Sequence, residues 1–192
     1  PHHPEILYAG STVLQRSTDG GKTWHQVFPK LSDVIKESYY GDHAEYYIET
    51  KYNSLYNTAS PQIKNIHVDP VKEAVVYFSM GNCFYYSINN CASFERIEIA
   101  ETIEFIYTNI VSPVHEVFIF TQNSLHVFAL PGKMIHEVSL PKAMSPSFSF
   151  CGGITKNKKT AFYALHHDTS SLIAGQYKRT DIFTSADGIH WN

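Results

Sequence analysis

Hydrophobic and polar residues alternate in short runs along most of the chain, and turn-forming residues such as glycine, proline, aspartate and asparagine follow the runs. Runs of about four to eight residues with this period predict β-strands, and the turn residues between them predict hairpins. Two sets of four predicted strands follow each other. The first comprises 63–68, 74–79, 83–87 and 93–99, and the second comprises 103–110, 115–121, 124–130 and 134–140.

Two further sets are shorter. Three strands are predicted at 5–10, 12–17 and 22–28, without an initial strand, and three more at 147–151, 160–165 and 181–185. Short strands at this spacing are typical of a sandwich, a barrel or a propeller. The aromatic content of 14% agrees with an all-β fold, because aromatic side chains fit pleated, half-buried surfaces better than helices.

One hairpin segment occurs in three of the four sets, at the turn that leads to the position of the last strand. Residues 17–24 align without gaps to 87–94, and with one residue deleted to 185–191. Each copy has a serine, an acidic or amide residue two positions later, and an aromatic residue after the turn: Ser17, Asp19, Gly20 and Trp24; Ser87, Asn89 and Phe94; Ser185, Asp187 and Trp191. Between the second and third copies there is room for one more unit, with a turn at Pro131-Gly132. A hairpin repeated in this way selects a β-propeller of four-stranded antiparallel blades.

The whole chain, 1–192, is therefore interpreted as one propeller portion of about four blades. The predicted blades are 1–28 (partial), 62–100, 101–141 and 145–192 (truncated). Because no strand follows Trp191, we expect part of a larger propeller. Residues 29–61 are a tyrosine-rich insertion between blades, with a helical turn predicted at 31–38.

The acidic residue of each hairpin is predicted to be structural. A short carboxylate or amide accepts hydrogen bonds from the N–H groups of a turn, and glycine tolerates the positive φ that tight turns need. We expect this role for Asp19, Asn89 and Asp187. Trp24 is expected to begin the next strand and to bury its ring.

These residues carry a family resemblance. The hairpin Ser17 to Trp24, the phrase Pro4-Glu5-Ile-Leu-Tyr-Ala-Gly10 and the segment Ile66-His-Val-Asp69-Pro70 resemble the Asp-box (BNR) propellers of the sortilin-like and sialidase-like superfamily. That group includes sialidases, sortilin-type receptors, xyloglucan-degrading glycosidases and photosystem assembly factors. The resemblance implies the propeller fold, but the same hairpin occurs in enzymes, receptors and scaffolds, so it does not select a function.

Two long segments, 29–61 and 166–180, are predicted to share the propeller face opposite the repeated hairpins, where we place binding. The candidate binding residues are Tyr39, Tyr40, Tyr46, Tyr47, His166, His167, Lys178 and Arg179. Clustered tyrosines suit contacts with proteins or sugar rings, although they could equally pack on a neighbouring blade. Lys178 and Arg179 could recognise an anion or form a solvated loop. Adjacent histidines at a strand end point in opposite directions, so no metal site is expected.

Composition narrows the ligand classes. A net charge of −3 and a pI near 6.4 disfavour general nucleic-acid binding. No apolar run approaches the roughly 18 residues of a membrane span, and no cofactor is expected. Cys83, Cys91 and Cys151 are an odd set, which cannot all pair internally, and we expect buried free thiols.

Three functions remain open. The first is a non-catalytic binding module, such as a receptor, adhesin or assembly scaffold, with a protein or glycan partner. The second is a glycoside hydrolase that uses carboxylates of the long segments, namely Asp42, Glu45, Glu49 and Asp168. A sialidase is disfavoured, because the chain has only three arginines, Arg16, Arg96 and Arg179. The third is a subunit of a larger assembly, and an extracellular or particle-surface location is the expectation for these classes.

Overall fold

The computed structural model describes residues 3–40, 45–50, 62–109, 116–129, 133–144, 149–167 and 180–192. These residues form strands that we number in chain order: β1 Leu7–Gly10, β2 Leu14–Ser17, β3 His25–Phe28, β4 Val34–Tyr40, β5 Glu45–Thr50, β6 Ile63–Val68, β7 Val76–Met80, β8 Cys83–Ser87, β9 Glu95–Glu98, β10 Ile103–Asn109, β11 Glu116–Thr121, β12 Ser124–Ala129, β13 Lys133–Ser139, β14 Ser149–Ile154, β15 Thr160–His167 and β16 Thr180–Ser185. The chain divides into two compact units, Pro1–Ile99 and Ala100–Asn192.

Both units consist of antiparallel sheets whose strands are ordered as in the sequence. The first unit holds a three-stranded sheet, β1-β2-β3, a two-stranded sheet, β4-β5, and a four-stranded sheet, β6 to β9. The second unit holds a four-stranded sheet, β10 to β13, and a three-stranded sheet, β14-β15-β16. A bridge between Ser185 and Trp191 continues the last sheet beyond β16. The predicted all-β class is confirmed.

Strand positions follow the hydrophobic pattern closely in the four-stranded sheets. The predicted strands 63–68 and 83–87 are β6 and β8. The helical turn predicted at 31–38 was wrong beyond its first residues, since a 3-10 turn covers only Leu31–Asp33 and the chain then enters β4. The β-branched and aromatic residues of Val34–Tyr40 favour a strand once β5 supplies a partner.

Aromatic rings hold the two larger sheets of the first unit together. The ring centroid of Phe28 lies 5.0 Å from that of Phe78, 4.9 Å from that of Tyr85 and 5.2 Å from that of Phe94. All four side chains are buried. Burial stabilises the fold by about 1.5–3 kcal/mol for a ring, and each edge-to-face pair adds roughly 0.5–1.5 kcal/mol. These contacts attach β3 to the β6–β9 sheet.

The second unit has a comparable aromatic core. The ring centroid of Phe162 lies 5.1 Å from that of Tyr107, 5.3 Å from that of Phe118 and 5.4 Å from that of Phe120. Gly152 faces the same rings, and a Cβ atom at that position would lie 2.9 Å from Cδ1 of Phe162. Phe162 is the cross-strand partner of Gly152 in the β14-β15-β16 sheet, so only glycine leaves room for this ring without adjustment.

In the first unit, the register shows where residues 29–61 leave and rejoin the sheets. Phe28 ends β3 opposite Leu14, at the end of β2 that is remote from the turn after Ser17. The chain returns at Ile63, whose N–H donates to the carbonyl oxygen of Ser11 at 2.6 Å, beside the same end of β2. The insertion thus begins and ends at the sheet edge opposite the repeated hairpin.

Candidate functional site

The three repeated segments form the same kind of turn, and we call them the Ser–Asx hairpins: Ser17–Trp24, Ser87–Phe94 and Ser185–Trp191. In each, the buried serine Oγ accepts a backbone N–H from within the turn. The donors are Gly21 at 2.8 Å, Cys91 at 2.9 Å and Gly188 at 2.8 Å. The donor lies four residues after the serine in the first two hairpins and three residues after it in the third, because the third is one residue shorter.

The acidic or amide residue closes the other half of each turn. Asp19 Oδ1 accepts the N–H of Thr23 at 2.9 Å, and Asn89 Oδ1 accepts the N–H of Ser93 at 2.9 Å. Asp187 Oδ1 accepts the N–H groups of Ile189 and His190, both at 2.8 Å. In each hairpin this side chain bonds to the turn itself.

Hydrogen bonding also keeps the two hairpin carboxylates ionised. The hydroxyl of Thr23 donates to Asp19 Oδ2 at 2.6 Å, and this bond makes the largest contribution to lowering the pKa of Asp19 to about 2. Partial burial raises the pKa of Asp187, but hydrogen bonds from His190 and Ile189 outweigh it and bring that pKa to about 2. A carboxyl group this acidic does not supply a proton near neutral pH, so neither residue is suited to act as a general acid.

The aromatic residue of the hairpin does not always bury its ring. Phe94 is buried, but the side chain of Trp24 is 38% exposed and β3 begins only at His25. The prediction for Trp24 was therefore wrong. Its indole N–H donates to the carbonyl oxygen of Gly21 at 3.0 Å, and Trp191 makes the equivalent bond to Gly188 at 2.8 Å. This hydrogen bond fixes the ring across the turn without burying it.

A pocket of about 240 Å³ lies between the two sheets of the second unit, at the edge that carries the third Ser–Asx hairpin. Its lining combines polar side chains, apolar walls and hairpin residues: Asn109, Glu116, His136 and Thr160; Phe118, Val127 and Phe162; Ala186, Asp187 and Ile189. Asn109 Nδ2 donates to Glu116 Oε2 at 3.1 Å, and Thr160 Oγ1 donates to Asn109 Oδ1 at 3.3 Å. The polar groups therefore form a connected set on one side of the pocket.

A serine, a histidine and a glutamate are aligned elsewhere on the β10–β13 sheet. Ser124 Oγ and His126 Nε2 are 2.9 Å apart, and His126 Nδ1 lies 4.0 Å from Glu137 Oε1. The order resembles a nucleophile, base and orienting carboxylate, but 4.0 Å is too long for the hydrogen bond that orients a catalytic histidine.

The backbone donors beside Ser124 are also occupied. The N–H of Ser124 donates to Thr121 Oγ1 at 2.9 Å, and the N–H of Asn123 approaches Glu101 Oε2 at 3.2 Å. Stabilising an oxyanion requires free donors at this place. The cluster therefore has the geometry of a polar network that fixes the β11–β12 turn.

The binding residues predicted from sequence fall into three groups. Tyr39, Tyr40, Tyr46 and Tyr47 belong to β4 and β5, where Tyr39 is paired with Tyr46 and Tyr40 with Glu45. His166 and His167 were assigned to a loop but belong to β15, which continues two residues further than expected and pairs them with Asp181 and Thr180. Lys178, Arg179 and Asp168 lie outside the described residues. The two long segments belong to different units, and their binding role stays a prediction.

Sequence reasoning missed the polar residues of the pocket. Asn109, Glu116 and Thr160 stand at the first or last positions of β10, β11 and β15. Polar residues at the ends of strands can indicate a polar pocket when those ends lie at the same edge of the sheets. The sequence does not show which ends lie together until the strand register is known.

Within the described ranges, no group of three or more histidine, cysteine, aspartate or glutamate side chains is placed to hold a metal ion. No helix there is long and apolar enough to cross a membrane. All three cysteines are free, and Cys83 and Cys91 are buried as expected, whereas Cys151 is exposed.

Comparison with known proteins gives matches at the level of structure. No family model matches the chain, and a search of the curated proteins finds no match. The crystal structure of an ancestral GH74 enzyme matches 98% of this chain at 11% identity with a TM-score of 0.50, and the chain spans 29% of that enzyme. A GH74 enzyme from Niastella koreensis matches 99% of the chain at 15% identity with a TM-score of 0.44, and 29% of that enzyme is covered. YCF48 bound to D1 peptide matches 97% at 10% identity with a TM-score of 0.34, and 76% of that protein is covered.

The match to the ancestral GH74 enzyme bears on the fold alone, because the identity is far too low to carry an activity across. That enzyme is a β-propeller protein, and its similarity to this chain agrees with the antiparallel sheets of both units. The chain has an all-β fold of the β-propeller type.

Proposed function

We propose that this protein is a non-catalytic β-propeller interaction module of the Asp-box (BNR) type, which presents its insertion to a protein or glycan partner. The observation that carries the proposal is the β4–β5 ribbon. It forms a sheet of its own within the insertion, and its register pairs Tyr39 with Tyr46 and Ser38 with Tyr47. Strand pairing holds the backbone at these tyrosine positions in register, which supports the proposed binding role.

The chemistry of tyrosine supports a binding role for the ribbon. Tyrosine offers a large, flat and amphipathic surface, and it loses little conformational entropy when it is fixed in a contact. Binding residues also tend to lie on segments that extend from a rigid scaffold, and this insertion leaves and rejoins a packed aromatic core at Phe28 and Ile63. The resemblance of the Ser–Asx hairpins to the Asp-box supports the family assignment.

The described part of the chain offers little support for catalysis. Asp19 and Asp187 bond to their own turns, and Ser124 lacks both an oriented base and free oxyanion donors. A glycoside hydrolase needs one carboxyl group that can donate a proton and a second that stays ionised. The hairpin carboxylates cannot fill the first role.

A binding comparison with a matched tyrosine control tests the proposal. The full chain, the double variant Tyr39→Ala/Tyr46→Ala and the control Tyr163→Ala are each screened against a displayed random-peptide library and a glycan array. Tyr163 is 47% exposed and lies in the second unit, so it controls for the loss of any surface tyrosine. We expect the native chain and the control to select the same ligands and the double variant to lose them.

Two results would contradict the proposal. One is unchanged selection by the double variant, with circular dichroism showing that it is folded. The other is turnover of chromogenic β-glycosides by the native chain that is lost on substitution of Glu45 or Glu49, which would establish the hydrolase alternative.

A further inference from the structure

The pocket of the second unit carries carboxylates that no lysine or arginine of the described residues neutralises. Two carboxylates, Glu116 and Asp187, line it together with one histidine, His136, and the described lining contains neither lysine nor arginine. Among the described residues, Glu116 accepts a hydrogen bond from the neutral amide of Asn109, and no lysine or arginine pairs with it. Asp187 directs its Oδ1 to the turn, and its Oδ2 lies 2.7 Å from Nδ1 of the exposed His190. The pocket therefore presents negative charge that the described residues do not neutralise with a lysine or arginine.

The walls between these carboxylates are apolar. Phe118 and Phe162 line the pocket together with Val127 and Ile189. Lysine and arginine side chains combine an apolar stem with a charged head, and their heads also interact favourably with aromatic rings. A volume of about 240 Å³ is below the roughly 300–1,000 Å³ of sites for drug-sized ligands, which suits a single side chain.

We infer that this pocket receives a lysine or arginine side chain of a protein partner, with its stem against Phe118 and Phe162 and its cationic head at Glu116 and Asp187. The inference rests on the proposed binding function and narrows the partner to a protein with an exposed basic residue. It assigns a second contact, separate from the tyrosine ribbon.

The chain's own lysines do not fill this role. Lys156, Lys158 and Lys159 belong to the turn before Thr160, and all three are exposed. Neither Glu116 nor Asp187 forms an ion pair with them within the described residues. Salt screens such solvated charges, so we expect these lysines to weaken the binding of a cation moderately and not to exclude it.

A saccharide could use the same amide, hydroxyl and carboxylate groups, but it would not depend on the charge of Glu116. The variant Glu116→Gln separates these cases, because glutamine keeps an oxygen that can accept the hydrogen bond of Asn109 while removing the charge. Glu137→Gln is the matched control, since Glu137 is an exposed glutamate of the same unit that does not line the pocket.

The experiment is a titration of the full chain followed by two-dimensional NMR. The probes are the N-acetyl, N-methylamide derivatives of lysine, arginine and norleucine, the last being an uncharged analogue of the lysine stem. We expect the lysine and arginine probes to shift the amides of Ala186 and Ile189 and the indole signal of Trp191. Glu116→Gln should weaken their binding about tenfold, as expected for the loss of one charge-assisted hydrogen bond, and Glu137→Gln should leave it unchanged.

Three outcomes would overturn the inference: equal binding of norleucine and lysine probes, equal affinity of the Glu116→Gln and native chains, or no shift at these three residues. Each outcome is distinguishable from failure of the proposed function. That function is tested by whether the Tyr39→Ala/Tyr46→Ala variant loses the ligands that the native chain selects. Ribbon-dependent selection combined with an unresponsive pocket would remove only the second contact.

Discussion

The serine of each Ser–Asx hairpin is the residue on which the turn depends most. Ser87 is 1% exposed, and its Oγ accepts the N–H of Cys91 at 2.9 Å. Ser87→Ala would leave that buried N–H without its partner, and an unsatisfied buried donor costs about 1–3 kcal/mol. We expect the free energy of unfolding, measured by urea denaturation, to fall by about this amount.

A neighbouring serine serves as the control for this prediction. Ser93 is exposed, and its hydroxyl accepts a hydrogen bond from Asn89 Nδ2 at 2.8 Å. Ser93→Ala should change the free energy of unfolding by less than about 0.5 kcal/mol, as is usual for surface positions. Equal losses for both variants would show that the buried serine has no special role in the turn.

At the scale of elements, the packing of aromatic rings against β14 in the second unit depends on one glycine. A Cβ atom at Gly152 would lie 2.9 and 3.0 Å from ring atoms of Phe162 and 3.2 Å from a ring atom of Tyr107, whereas one at Gly153 would meet nothing within 4 Å. Because the rings are packed, Gly152→Ala should destabilise the protein by about 1–3 kcal/mol. Gly153→Ala should be neutral or slightly stabilising. Thermal melting compares the two, and a lower melting temperature for the Gly153 variant than for the Gly152 variant would contradict this account.

The sequence predicted those elements whose burial pattern is simple. Strands β6 and β8 follow their hydrophobic runs, and the positive φ expected at the hairpin glycines occurs at Gly20, Gly21 and Gly188. In the second hairpin, Asn90 and Cys91 adopt positive φ without being glycine, because the register of the turn requires it. The β4–β5 ribbon was missed because a strand needs a partner, and local pattern does not reveal the pairing of 34–40 with 45–50. The pocket was missed because its residues meet only across several strands.

At the scale of the whole molecule, each compact unit contains a Ser–Asx hairpin that bonds to its own turn and a second feature for which we propose binding. In the first unit, the insertion leaves the sheet edge opposite the hairpin at Ser17–Trp24. In the second, the pocket uses the hairpin edge itself, through Asp187 and Ile189. The sequence analysis predicted binding only at the edge opposite the hairpins. The pocket adds a candidate binding position at the hairpin edge.

Stability should fall in two steps as the pH is lowered, because histidines and carboxylates in both units titrate abnormally. Burial lowers the pKa of His67 and of His126 below 6.5. The unfolded chain therefore binds more protons than the folded chain just below pH 6.5, and stability decreases there by at most about 1.4 kcal/mol per pH unit for each histidine. Asp19 and Asp187, with pKa values of about 2 against 3.8 in the unfolded chain, contribute stability above pH 3.8 that is lost as the pH falls towards 2.

Midpoints of urea unfolding at pH 7.5, 5.5 and 3 resolve the two losses of stability. One substitution measures how much of the first loss is due to His126. His126→Gln cannot titrate but can still bond to Ser124 Oγ, so its loss between pH 7.5 and 5.5 should be smaller than that of the native chain. His25→Gln, which replaces an exposed histidine of the first unit, is the control. If the His126 variant lost as much stability as the native chain over this interval, burial of that imidazole would not be the cause. A loss of stability at lower pH would still be expected in the second unit, because the pKa values of Asp187 and Glu101 are lowered there by hydrogen bonds.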